Sequence, residues 1–162
     1  MRLRSERGLT LTELTVVMVL ASLVMVGLVA FYFNSQQTWV DASTQAITQR
    51  EATILVKDIT DRTRQASRAI VAPVPDTLHN TLWLFRAGES TAFQMYWWNA
   101  TDSLVHQGPD QSQDRGPLVS SRVERFQLGM EGDSLVRITL LQLRSANGSR
   151  IRMSSTIAMY NH

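Results

Sequence analysis

The sequence has no cysteine. Disulfides, thiol catalysis and cysteine-ligated metal sites are therefore excluded. This does not assign a compartment, because many exported domains also lack disulfides. Lysine is nearly missing too, with Lys57 the one lysine among 16 basic residues. Histidine is scarce and scattered: His79, His106 and His162 read as loop or terminal residues, not as ligands. No Gly-rich phosphate loop, G-x-S-x-G or H-E-x-x-H pattern occurs. The expectation is a non-enzymatic chain with no catalytic residues, no cofactor and no metal. Calcium at Asp110 and Asp114 is the one alternative to plain solvation, and it stays open here.

Excess charge is also missing beyond the first few residues. The formal net charge is +2. Arg2, Arg4, Arg7 and Glu6 lie at or before Gly8, so the 16 basic and 14 acidic side chains reduce to 13 of each after it. With no basic patch left, no nucleic acid partner is expected.

Charge is wholly lacking from Leu14 to Phe33 (LTVVMVLASLVMVGLVAFYF), where only Thr15, Ser22 and the Tyr32 hydroxyl are polar. A helix of about 20 apolar residues spans a hydrocarbon core of ~30 Å, and a buried soluble helix would show a polar face that this run lacks. Arg2, Arg4 and Arg7 precede it, and the first basic residue afterwards is Arg50. The positive-inside rule then places the N-terminus in the cytoplasm and the C-terminal domain outside. An ordinary signal peptide has an apolar region of about 7–15 residues ending in small residues. Here the run is longer and ends in Phe31, Tyr32 and Phe33.

One carboxylate, Glu13, interrupts the start of the wider apolar stretch from Leu9 to Phe33. A charge inside a membrane costs about 2.5–3.5 kcal/mol on insertion scales, so Glu13 needs either a partner or a shallow position among the cytoplasmic headgroups. Both readings are open from the residue alone. Its surroundings, Arg7-Gly8-Leu9-Thr10-Leu11-Thr12-Glu13-Leu14, resemble the processing motif of type IV pilins and type II secretion pseudopilins. Gly8 matches the last residue of a short basic leader, Leu9 the first mature residue and Glu13 the fifth. The resemblance implies cleavage between Gly8 and Leu9 by a prepilin peptidase, N-methylation of Leu9, and subunit assembly through Glu13. In that scheme Glu13 of one subunit neutralises the new α-amino group of a neighbour, and it sets register more than it adds stability. The sequence departs from the family at Leu9, where Phe is commonest, and at Thr12, where an aliphatic residue is usual.

Helical signals continue past the membrane segment. Proline and glycine are missing from Asn34 to Ala72, and Val40, Ile47, Ile54, Leu55, Ile59, Ala66 and Ile70 fall at spacings of a one-sided stripe. Asp58/Arg62 and Asp61/Arg64 suggest ion pairs on an exposed face. Ala72-Pro73-Val74-Pro75 is expected to end the helix, which would run from about Thr10 to Val71. A coiled coil is the other use of such a length, but the stripe drifts from strict heptads.

After Pro75 the pattern turns to strands: Leu82–Phe85, Ala92–Trp98, a return at Leu104 and Val105, then Val123–Met130, Leu135–Leu143 and Ile151–Tyr160. His106–Pro117 reads as a polar loop. The last three strands are expected to form an antiparallel meander against the helix stripe. Of Trp97 and Trp98, one is expected in the core and one near the surface.

The expected fold is thus α+β and pilin-like: one long N-terminal helix, membrane-spanning in its first half, packed against a small antiparallel β-sheet head. The expected parts are a leader (residues 1–8), a transmembrane or filament-core half-helix (9–33), a periplasmic half-helix (34–72) and a β-rich head (73–162). Gln45–Ala69, Tyr96–Gln107 and Ile157-Ala158-Met159-Tyr160 loosely resemble the minor pseudopilin J and W-type minor pilin families. Many major pilins carry Pro at the position of Ala30, which points away from that class. The resemblance implies a minor pilin or pseudopilin that primes or caps a filament or secretion pseudopilus. Its partners would be the prepilin peptidase, other pilins or pseudopilins through the N-terminal helix, and inner-membrane lipid before assembly. It would be a single-pass inner-membrane protein and then a filament component. A membrane-anchored periplasmic binding domain with no filament role, and a major pilin, are the alternatives.

Overall fold

In the computed structural model of the chain, residues 10–75 and 77–160 are described. A single helix, α1 (Leu11–Gln65), runs for 55 residues. Nothing between Leu11 and Gln65 breaks it, since Gly27 is its one glycine and it has no proline. The chain divides at Ala42/Ser43 into two units.

In the first unit α1 is alone. Its 18-residue apolar window has a mean hydropathy of 2.7 and none of it is buried. The helix is long and apolar enough to cross a membrane. Its few polar side chains are satisfied by their own backbone, as a hydrocarbon setting demands: Thr15 Oγ1 donates to Thr12 O (2.9 Å) and Ser22 Oγ to Val19 O (2.7 Å).

In the second unit, the rest of α1 packs against two antiparallel sheets. The first is a four-stranded meander of β1 (Arg68–Pro73), β2 (Asn80–Phe85), β3 (Gln94–Asn99) and β4 (Leu104–Gly108). The second is a three-stranded meander of β5 (Arg122–Glu131), β6 (Leu135–Arg144) and β7 (Arg150–Ala158). The α+β expectation and the closing meander are both observed. One core joins helix and sheets: Leu55 and Ile59 of α1 meet Leu82, Leu84 and Tyr96 on one side and Phe126, Ile138 and Leu141 on the other. Asp58 of α1 accepts the Tyr96 hydroxyl. Burial and that carboxylate push the phenol far above the ordinary tyrosine range, so it stays a neutral donor.

Three expectations are corrected here. First, the helix ends at Gln65 and not near Ala72, because residues 68–73 form a strand. Ala66 N closes the last turn on Thr63 O, and Ser67 N passes to Phe85 O in the neighbouring strand. Ile70 and Val71 are β-branched and suit a strand. Pro73 is tolerated there because β1 lies at a sheet edge, where a missing N–H costs no ladder bond.

Second, the buried helix face is turned from the expected stripe. It runs through Thr48, Ala52, Leu55, Ile59 and Thr63, whereas Ile47 and Ile54 stay 59% and 43% exposed. Small and hydroxyl residues let the sheets approach closely, which a count of apolar side chains does not register. Third, the polar loop is partly ordered. His106–Gly108 belong to β4, and Gln111–Gln113 form a 3-10 turn.

Candidate functional site

Of the three site residues expected from sequence, Gly8 and Leu9 lie outside the described residues. Glu13 stands in the first turn of α1, exposed, and its partner there is Thr10. Thr10 N and Thr10 Oγ1 donate to Glu13 Oε2 at 2.9 and 2.8 Å, and Glu13 N donates back to Thr10 Oγ1 at 3.3 Å. This reciprocal exchange is a capping box. It satisfies backbone donors that the first turn leaves open and sets a negative charge at the positive end of the helix dipole. The signal was present in the sequence as Thr10-Leu11-Thr12-Glu13, a T-x-x-E pattern before an apolar run. It gives the carboxylate a local role that neither burial nor a neighbour supplies.

Beyond the cap, the apolar side chains from Leu14 to Phe33 are exposed around the whole helix circumference. Tyr32 near the end of this run and Trp39 just beyond it are 59% and 71% exposed, a placement that matches the aromatic residues found at membrane–water boundaries.

The head carries a second ionic constellation, which the sequence reading missed. His106 is not a loop residue. It is buried on β4 between two carboxylates, with Nε2 2.6 Å from Asp102 Oδ2 and Nδ1 2.5 Å from Asp114 Oδ2. Burial opposes its charge, but the bonds to Asp102 and Asp114 outweigh that and raise its pKa above the ordinary imidazole value. Protonated, the ring donates on both sides and has no lone pair for a metal. The arrangement ties the β3–β4 turn to the segment after the 3-10 turn.

Asp110 Oδ1 accepts from Ser112 N, Ser112 Oγ and Gln113 N, while Asp114 Oδ1 accepts from Gly116 N. These carboxylates serve loop geometry. Among the described residues, no group of three or more His, Cys, Asp or Glu side chains is placed to hold a metal ion.

His79 and Trp97 are both buried. His79 is buried, stacked on Trp98 with ring centroids 3.9 Å apart, and its Nδ1 has no partner. Burial holds its pKa below the ordinary value. His162 lies outside the described residues. Trp98 faces the core, where its Nε1 donates to Val123 O (3.1 Å). Trp97 is on the opposite face yet only 7% exposed, with its ring 5.9 Å from that of His106. Neither tryptophan offers a bare adhesive patch.

No family model, no curated protein and no solved structure matches this chain.

Proposed function

We propose that the chain is a minor pilin or minor pseudopilin, a structural subunit that primes or caps a pilus-like filament or a type II secretion pseudopilus. The observation that carries this reading is the continuity of α1. A capped helix begins right after the Gly8-Leu9 motif, presents 20 uncharged residues bare on every side, and then supplies the core face of a small two-sheet head.

On this reading the prepilin peptidase cuts after Gly8 and Leu9 becomes the N-methylated first residue. The protein waits in the inner membrane with its N-terminus cytoplasmic and its head periplasmic. The apolar belt contacts lipid until it exchanges lipid for the helices of other pilins or pseudopilins. Glu13 then leaves its bond to Thr10 for the α-amino group of a neighbour, or accepts from both.

The capping box favours a second reading, in which Glu13 serves only its own helix. The chain would then be a membrane-anchored periplasmic domain with no filament role.

Intact-mass and N-terminal analysis of the protein, taken from membranes with and without the peptidase, tests the proposal. A chain beginning at N-methylated Leu9, found only with the peptidase, is the expected result. An uncut N-terminus, or a cut beyond Phe33, overturns it.

A further inference from the structure

Arg122, Arg144 and Arg150 stand directly opposite one another across β5, β6 and β7. Directly opposed residues share a face, and like charges so placed destabilise a sheet. The carboxylate bonded to the row is Glu124, 2.9 Å from Arg150 Nε and 3.7 Å from Arg144 Nη1. That bond serves Arg150 well and Arg144 poorly, and Arg144 keeps half its side chain exposed.

Beside this row is a recess of about 450 Å³ whose walls include Thr48, Ser121, Arg122, Arg144 and Ser145. Ser145 is only 4% exposed, and its Oγ is buried without a hydrogen-bond partner. Such an orphan hydroxyl is costly. The neighbouring hydroxyls are engaged: Ser121 Oγ donates to Thr48 Oγ1 (3.4 Å), which donates to Thr44 O (3.1 Å). Glu51, the acid nearest in this chain of bonds, is occupied by Ser120 Oγ and by Ser121 N. Arg122, Arg144 and Ser145 thus line one recess, and the carboxylate that reaches it, Glu124, stays 3.7 Å from Arg144 Nη1.

We propose that this recess binds a phosphate group, held by Arg122 and Arg144 with Ser145 Oγ as a third donor. Two guanidinium forks and a hydroxyl offer more donors than the roughly four lone-pair sites of a carboxylate accept, whereas a tetrahedral phosphate takes them all. The ligand is either a free phosphate anion or the phosphodiester of a lipid headgroup, which present the same oxygens.

The test uses the full chain in neutral detergent micelles, followed by NMR of the Ser145 amide and the arginine Nε–H signals. Inorganic phosphate and short-chain phosphatidylglycerol are titrated separately, against sodium chloride at matched ionic strength. Saturable shifts with at least one of the two are expected. Arg144→Gln and Arg122→Gln each weaken binding about tenfold, Ser145→Ala weakens it less, and Arg137→Gln, on the same sheet but outside the recess, leaves it unchanged. Saturation by phosphate alone assigns a free anion; saturation by the lipid alone assigns a headgroup. A chloride-like response to both, or undiminished binding by Arg122→Gln and Arg144→Gln, overturns the proposal. Unchanged backbone spectra of each variant away from the recess confirm that it is folded.

Discussion

His106 Nδ1 lies 2.5 Å from Asp114 Oδ2 while Nε2 of the same ring lies 2.6 Å from Asp102 Oδ2. The imidazolium thus ties the β3–β4 turn to the segment after the 3-10 turn, beside the Arg115 N to Gln107 O bond and the His106–Pro117 bridge. Its pKa is raised in the fold, so its contribution to stability is full below the ordinary imidazole range and is lost as pH rises through the raised value. Asp102 is shifted the other way. Burial opposes its charge, but the His106 bond outweighs that and lowers its pKa, so its contribution is lost as pH falls through the lowered value. His79, buried and neutral, also loses stability on acidification. Denaturant unfolding of the full chain in micelles is expected to show a decline in stability above neutral pH. His106→Gln should remove that alkaline slope and cost about 1–3 kcal/mol at pH 6. An unchanged slope in this variant would mean that the clamp carries no proton linkage.

Glu13 has two roles to separate, the cap and the charge. A glutamine at the third helical position still completes a capping box, whereas leucine does not. Glu13→Gln should therefore keep the first turn of α1 at near wild-type stability, and Glu13→Leu should increase its fraying. Filament incorporation reads the charge. Under the proposed function both variants are cleaved normally and both fail to incorporate. If Glu13→Gln incorporates as well as the parent, Glu13 is a helix cap and nothing more.

Gly108 closes β4 beneath the 3-10 turn. A Cβ placed there would run into the backbone carbonyl of Gln113, and a backbone atom cannot swing aside as a flexible side chain can. Gly108→Ala should destabilise the head by about 1–3 kcal/mol, seen as a lower thermal midpoint. It should also weaken the His106–Asp114 bond, since the displaced segment carries Asp114. Gly88→Ala is a useful contrast: that glycine has open space around it, and its cost comes from the positive φ of 76° alone.

Much of the architecture was legible because it rests on strong local signals. The uncharged run from Leu14 to Phe33 and the alternating strands after Leu82 leave few alternatives, and the turns at Asp133 and Asn147-Gly148 separate the meander strands cleanly. Strand β1 was not legible. Ala66, Ala69 and Ile70 satisfy helical spacing, although on the strand Ala69 is buried and Ile70 exposed, and the partner strand Asn80–Phe85 decides the outcome. The helix face was misjudged for a related reason: Thr48 and Thr63 are buried because the sheets come close there, not because they are apolar.

At the candidate site, Glu13 was visible from its neighbours, while its bond to Thr10 was readable as T-x-x-E but hidden behind the membrane argument. The Asp102–His106–Asp114 clamp depends on a loop folding back on its own strand, and no spacing rule announces that.

The bond from Ser120 Oγ to Glu51 crosses 69 positions of sequence, and that from Ser121 N crosses 70. Ile157 and Met159 complete the same core that Ala52 and Leu55 begin. Contacts this distant form only after much chain entropy has been given up, so folding is slow relative to locally wired helical proteins. Synthesis delivers α1 long before β7 exists. During that interval the helix already has its full apolar surface, while the strands emerge one by one without their partners. The growing chain is most prone to aggregation in this period, before Ile157 arrives to close the core.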